Sequence, residues 1–331
     1  MQIQQSKFHY SDNSLSDTKN LDRLKLYRNE PDNYSRLAKS IAPEIYGHLD
    51  VKKALLLLLC SGVTRVLDDG VKVRGDIHIC LMGDPGVAKS QLLSYMSQIS
   101  PRGRFTSGMS ASAAGLTAAA VQDSAAEGRW TLEAGALALA DLGLAAIDEF
   151  DKMNENDRSS MHEAMEQQRI SVSKAGINAT LSTRCAILAA ANPKDGRFEP
   201  VSEVPFTKQI NLKPALISRF DVIWLLTDQP KAEHDLMIAD HIMKNRENST
   251  PEVLIDQGSE VDPSKAAGDS GMDEKEGIIN RELIRKYVAY AKRTIHPVLT
   301  DEARSALTEF YVETRRKGGE SNDSISISAR A

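Results

Sequence analysis

Apolar residues in this chain fall into short unbroken runs separated by stretches of helical spacing, and the runs carry the first structural prediction. Four stand out: Ile77–Met82, Leu142–Ile147, Ala186–Ala191 and Val222–Leu226. Their alternation with helical segments between Ile41 and about Lys244 predicts an α/β fold with a parallel sheet flanked by helices. Each run ends in residues with chemical capacity: Gly83, the pair Asp148 and Glu149, Asn192, and Thr227 with Asp228. Ligands of such sheets sit beyond the carboxyl ends of the strands, so these residues are expected around one cleft.

The flanks read differently. Residues 1–40 are polar, with helical spacing around Leu21–Tyr27 and Tyr34–Ile41, and form a lead-in segment. Residues 246–277 are rich in Gly, Ser, Asp, Glu and Pro and read as an acidic flexible linker. Helical periodicity resumes over Ile278–Arg293 and Asp301–Lys317. The expected division is therefore a lead-in over 1–40, a core over 41–245, the linker over 246–277 and a helical segment over 278–331. No internal repeat is visible.

Charge changes this picture only locally. The net charge is −5, but residues 246–277 hold nine acidic and three basic side chains, leaving about +1 for the rest. Global charge thus neither supports nor excludes a polyanionic partner. The longest apolar run, Ala54–Cys60, is too short to span a bilayer, and the first residues lack a basic-then-apolar leader pattern. No membrane association is expected. Cys60, Cys80 and Cys185 are isolated in apolar surroundings and read as reduced core residues of an intracellular protein.

The run Ile77–Met82 opens into Gly83, Asp84, Pro85, Gly86, Val87, Ala88, Lys89 and Ser90. A buried strand, a Gly/Pro turn and a terminal Lys-Ser make the setting of a phosphate-binding loop. Its backbone N–H groups would cradle the β-phosphate, Lys89 would reach the β- and γ-phosphates, and the Ser90 hydroxyl would hold Mg²⁺. The strict pattern has Gly where this chain has Ala88. Further on, Leu144–Ile147 delivers Asp148 and Glu149. ATP hydrolysis needs one carboxylate near Mg²⁺, a role that suits Asp148, and one group that polarises the attacking water, which suits Glu149. A strand running into a capped helix would look the same. His162-Glu163-Ala164-Met165-Glu166 misses the zinc-binding His-Glu-x-x-His pattern at its last position and reads as an amphipathic helix. Residues 170–181 alternate about Lys174-Ala175-Gly176, a hairpin signal.

Gly83–Ser90 and Ile147–Met153 resemble the Walker A and Walker B motifs of the minichromosome maintenance (MCM) replicative helicases, in which Ala precedes the Walker A lysine. The resemblance covers about Ser40 to Asp228 and the last fifty residues, and the more archaeal-looking segments are Val73–His78 and Glu127–Glu133. It implies an AAA+ P-loop NTPase fold with a partial C-terminal helical lid, binding ATP and Mg²⁺. The nucleotide contacts it implies are Tyr46 at the adenine, then Gly83 through Ser90 with Gln91, and Asp148. By the same resemblance Asn192 is the sensor 1 residue and Arg219, in Ser218-Arg219-Phe220-Asp221, is an arginine finger acting on a neighbouring subunit. Arg330 aligns with the sensor 2 arginine. Residues 170–181 resemble the presensor 1 hairpin, with Lys174 on the DNA backbone, and Gly115–Glu133 resembles the helix-2 insertion, where a plain Ala-rich helix is also compatible.

The implied activity is an ATP-dependent helicase motor working in a hexameric ring on single-stranded and duplex DNA. Its partners would be copies of itself or paralogous subunits. The location would be the nucleoid-containing cytoplasm of an archaeon or the nucleus of a eukaryote. A protein-remodelling AAA+ machine, or a partial subunit serving assembly, are the competing readings. The family's N-terminal DNA-binding and zinc-bearing domain has no counterpart in these residues.

Overall fold

In a computed structural model of the chain, the four apolar runs lie side by side in one sheet. The structure describes residues 32–109, 113–123, 129–199, 204, 208–228, 230–247, 272–273 and 278–320. The helix expected around Leu21–Tyr27 and most of the 246–277 linker lie outside the described residues.

The described chain begins with α1 (Asn33–Lys39) and α2 (Leu49–Cys60), followed by an exposed antiparallel pair, β1 (Arg65–Val66) and β2 (Lys72–Val73). Next, β3 (His78–Gly83) leads through the loop into α3 (Lys89–Ile99), and β4 (Arg104–Ser107) follows. A short α4 (Ala113–Leu116) precedes the antiparallel β5 (Ala118–Asp123) and β6 (Arg129–Ala134), then α5 (Ala136–Leu139) and β7 (Leu144–Asp148). One turn of 3-10 helix, Phe150–Lys152, passes into α6 (Glu155–Gln167), the hairpin β8 (Arg169–Lys174) and β9 (Ile177–Ser182), and β10 (Ala186–Ala191). The core ends with α7 (Pro214–Ile217), β11 (Val222–Leu226) and α8 (Ala232–Glu247). Beyond it come the paired β12 (Met272–Asp273) and β13 (Ile278–Ile279), then α9 (Arg281–Thr294) and α10 (Asp301–Glu320).

The sheet has five strands in the order β11-β3-β10-β7-β4, and every neighbouring pair is parallel. Its core is built by the two-residue alternation of a strand. From β3, Ile79 and Leu81 face a layer containing Leu55, Leu92 and Met96 of α2 and α3, while Cys80 and Met82 face Leu137, Met161 and Leu216 on the other side. The same parity divides Leu144 and Ala146 from Ala145 and Ile147. Both faces being covered explains why these strands read as continuous apolar runs rather than as alternating ones.

The fifth strand is not visible as an apolar run. Arg104-Phe105-Thr106-Ser107 lies at the sheet edge with its first two residues exposed, so no burial selects for apolar residues there. Leu142, expected within a strand, instead precedes it, exposed and with φ of 65°. The Ala-rich Gly115–Glu133 segment forms the β5–β6 hairpin rather than a long helix. Ile278 and Ile279 pair as a strand before α9 starts. Ile279 N donates to Ser40 Oγ at 2.8 Å, and the Asn280 side chain caps the helix by accepting from Glu282 N at 2.9 Å. Leu283, Ile284, Val288 and Ala291 then give α9 one buried face. Among the described residues, no helix is long and apolar enough to cross a membrane.

Candidate active site

The loop after β3 is shaped by its neighbours. A Cβ on Gly83 would lie 2.5 Å from the Leu226 carbonyl oxygen of β11, so only glycine fits where the two strands pair. Ala88 takes a left-handed conformation, φ 61°, at the cap of α3. Glycine is the easier residue there, which accounts for the strict pattern and for the small strain this chain carries.

Lys89 is buried, and its Nζ donates to the carbonyls of Gly83 and Asp84, each at 2.7 Å. Burial pulls its pKa below the usual lysine range, against the opposing influence of Asp148, Asp84 and Asp151. Asp84, 4% exposed, accepts from Phe198 N at 2.7 Å and from Asp228 N at 2.9 Å. Its carboxylate thereby ties the loop to the segments that follow β10 and β11.

The strand order does the rest of the assembly. With β10 lying between β3 and β7, Asn192 emerges between the loop and the carboxylates. Three adjacent strand ends stand within roughly 10 Å at ~4.8 Å per strand spacing. Asp148 Oδ1 accepts from Glu149 N at 2.9 Å. Glu149 sits at φ 50°, and its carboxylate is held by Lys152 Nζ at 2.6 Å on Oε1 and by Ser107 Oγ at 3.1 Å on Oε2. The Lys152 hydrogen bond holds the Glu149 pKa below the ordinary glutamate value, with Ser107 adding to it and burial opposing. Ser90 at the start of α3 and Asp148 offer hard oxygen donors, the ligand type Mg²⁺ takes.

From the sequence Lys152 is only a member of the Ile147–Met153 motif with no role of its own, and Ser107 is not singled out. Lys152 comes within reach only because residues 150–152 form a single turn, and Ser107 because β4 pairs with β7 in the register Ser107 to Asp148. That turn is a hub. Phe150, fully buried, meets Phe220 edge-on with ring centroids 5.5 Å apart, and Asp151 Oδ1 accepts from Asn192 N at 3.0 Å.

A cavity of about 860 Å³ opens beside the loop, lined in part by Tyr46, Gly86, Ala88, Gln91, Asp228 and His234. Tyr46 is the wall residue expected there. Its ring lies 5.8 Å from His234 and 5.6 Å from His241, and its hydroxyl donates to Met237 Sδ at 3.0 Å. Burial lowers the His48 pKa, with the nearby Lys52 and His234 adding to the effect. The volume is within the range of small-molecule sites, ~300–1,000 Å³.

Arg219 is not among the residues lining this cavity. Its guanidinium instead donates to Glu166 Oε2 on α6 and to the Ala215 carbonyl. Two residues on, Asp221 takes a two-pronged contact from Arg74, at 2.8 and 2.9 Å, and accepts from His78 N at 2.8 Å. Lys174 stands where β8 turns into β9 through Ala175 and Gly176, both at positive φ. Its Nζ donates to the Ala118 carbonyl at 2.9 Å, joining the two hairpins. Arg330 lies outside the described residues.

Comparison with known proteins agrees with this architecture. The family model for the MCM P-loop domain matches residues 20–246, and that for the MCM AAA-lid domain matches residues 282–331. The chain is 48% identical over 301 residues to DNA replication licensing factor mcm7-A of Xenopus laevis, covering 91% of this chain and 38% of that protein. It is 46% identical over 289 residues to the minichromosome maintenance protein MCM of Saccharolobus solfataricus, covering 87% and 38%. To DNA replication licensing factor mcm7 of Schizosaccharomyces pombe it is 48% identical over 293 residues, covering 88% and 35%. The chain thus spans little more than a third of these curated relatives, and archaeal and eukaryotic relatives match it about equally. With a nucleotide-binding P-loop domain and a lid region matched in one chain, the protein belongs to the minichromosome maintenance (MCM) family.

Proposed function

We propose that this chain is the ATP-hydrolysing motor of a DNA helicase of replication, working between copies in a hexameric ring. The observation that carries it is the meeting of Lys89, Asp148, Glu149 and Asn192 at the ends of adjacent strands while Arg219 is held away from the cavity beside the loop. A site with its cis groups together and its arginine elsewhere suits hydrolysis at a subunit boundary. The division into a core over 41–245 and a lid over 278–331 belongs to the same reading.

In this mechanism Gly83 through Gln91 wrap the phosphates and Tyr46 flanks the base. Lys89 exchanges the Gly83 and Asp84 carbonyls for phosphate oxygens. Ser90 and Asp148 would hold Mg²⁺, whose charge would offset that of the phosphates. Glu149, a carboxylate at neutral pH as any ordinary glutamate is, accepts a proton from the attacking water, and Asn192 orients that water. Arg219 of the neighbouring copy, with Arg330, neutralises charge building on the γ-phosphoryl oxygens, a task for a guanidinium because it keeps its proton. Lys174 exchanges Ala118 for a DNA phosphate, so binding would be indifferent to sequence and sensitive to salt. The chain would act on chromosomal DNA, in a ring of identical or paralogous subunits.

The test is particle size together with ATPase activity, each measured with and without single-stranded DNA. Stimulation by DNA in a ring-sized particle, lost in Lys89→Ala and weakened in Lys174→Ala, is the expected result. Hydrolysis at the normal rate by Lys89→Ala would overturn the assignment. ATPase activity indifferent to DNA would turn the reading towards a remodeller of protein.

A further inference from the structure

Arg219 can complete a neighbour's site only if its guanidinium is presented at a fixed place, and a residue outside the matched motifs holds it. Nη2 donates to Glu166 Oε2 at 2.5 Å, and Nη1 donates to the Ala215 carbonyl at 2.6 Å. The second contact is local, four residues back in α7, so it cannot fix the guanidinium relative to the sheet. The first spans fifty-three positions to α6. That helix is anchored, because Met161, Ala164 and Met165 are buried in the core beneath it. With this support the Arg219 side chain is only 17% exposed, and Glu166 is 39% exposed.

We propose that Glu166 is a positioning residue for Arg219. It commits one N–H of Nη2, as the Ala215 carbonyl commits one of Nη1, and with Nε buried this leaves the second N–H of each terminal nitrogen to meet the transferring phosphoryl group of an adjoining copy. As a partly exposed ion pair the contact would contribute little to folding, so stability alone would hardly register its loss. Its importance lies in geometry. Because α6 begins directly after the turn that carries Lys152, the same helix that follows a subunit's own carboxylates aims its arginine at the next site. This inference rests on reading Arg219 as the residue that acts across the boundary.

The experiment compares Glu166→Ala, Glu166→Gln and Arg219→Ala in the full chain, measuring ATP turnover with DNA present and thermal melting. Glu166→Ala should lower kcat about tenfold or more, the scale of a misplaced catalytic group, with KM for ATP and the melting midpoint nearly unchanged. Glu166→Gln, which keeps an oxygen acceptor, should recover most of the rate. Mixing Glu166→Ala chains with Lys89→Ala chains should raise turnover per Glu166→Ala chain, since the added copies present a correctly held Arg219. A folding defect would not be rescued in this way. Wild-type kcat in Glu166→Ala, or no rescue on mixing, overturns the inference. If Arg219→Ala itself keeps full turnover, the reading of Arg219 falls. If Arg219→Ala is impaired and rescued while Glu166→Ala is normal, only the role of Glu166 falls.

Discussion

Replacing Asp84 tests whether the nucleotide loop is held in shape by one buried carboxylate. Its two oxygens receive Phe198 N at 2.7 Å and Asp228 N at 2.9 Å, so three chain segments meet at one 4%-exposed side chain. Hydrogen bonds to a charged group contribute ~1.5–3 kcal/mol each, and their loss leaves backbone donors unsatisfied where water cannot easily replace the carboxylate. Two such bonds give Asp84→Ala an expected destabilisation of about 3–5 kcal/mol, allowing for partial relaxation of the loops. Asp84→Asn is the informative companion. Its carboxamide can accept one N–H but turns its own NH₂ towards the other, so it should lose about half as much.

Circular dichroism melts of the two variants against the parent chain provide the measurement. A shift of about 4–7 °C is expected for Asp84→Ala, with Asp84→Asn between it and the parent. Because Asp228 also lines the cavity beside the loop, KM for ATP should rise in both. An Asp84→Ala midpoint within about 1 °C of the parent would refute the argument, since at ordinary scaling for a chain of this size that is under ~1 kcal/mol.

Three further outcomes follow from the same reasoning. His78, the first residue of β3, is buried and accepts from Ile187 N at 3.2 Å; burial, then Arg74, push its pKa down to about 4. The unfolded chain takes up this proton near the ordinary value of ~6.5, so stability should fall as pH drops from there towards 4, by at most ~1.4 kcal/mol per pH unit. In melts between pH 8 and 5, His78→Asn should flatten that dependence, and an unchanged slope would count against it. Ala88→Gly should raise the unfolding free energy by about 0.5–1 kcal/mol by removing a left-handed alanine; a lower value in urea titration would show that the loop carries no such strain. Arg74→Ala breaks the two-pronged contact with the partly buried Asp221 and should cost about 1–3 kcal/mol in the same titration, with no change in midpoint being the contrary result.

What the sequence disclosed is what local pattern can carry. Strands buried on both faces must be apolar throughout, so β3, β7 and β10 were legible, together with the loop and carboxylates at their ends, and the partly buried edge strand β11 was legible because its five residues are apolar all the same. Exposure at the other edge hid β4, and with it Ser107, because Arg104 and Phe105 face solvent and Thr106 and Ser107 are polar. Alanine is too small to declare a period, so the pairing of β5 with β6 was not legible in Gly115–Glu133, where a plain Ala-rich helix was also compatible. The contacts of Arg219 were beyond reach for another reason. Its motif is contiguous, but Glu166 lies fifty-three residues earlier, and nothing local to either residue indicates that α6 and α7 bring them together.

The strand order and the 150–152 turn together explain why these motifs, though dispersed in sequence, operate as a unit. Inserting β10 between β3 and β7 sets Asn192 beside the loop and the carboxylates, although it follows the loop by about a hundred residues. The turn then fixes each part through a different side chain: Lys152 on Glu149, Asp151 on the Asn192 backbone, and Phe150 against Phe220, the residue after Arg219. A shift of this turn would therefore disturb Glu149, Asn192 and the Arg219–Phe220 segment together. In a ring of such subunits, the groups a chain uses in its own site and the one it lends to its neighbour would be mechanically joined through three consecutive residues. Phe150→Ala, by emptying the contact with Phe220, should uncouple them at a cost of about 3–5 kcal/mol in stability. Phe150→Leu keeps most of the volume and is the variant in which coupling can be measured: DNA stimulation of ATP turnover should fall while the melting midpoint moves by only a few degrees. Stimulation equal to the parent in that variant would show that the two halves of the site move independently.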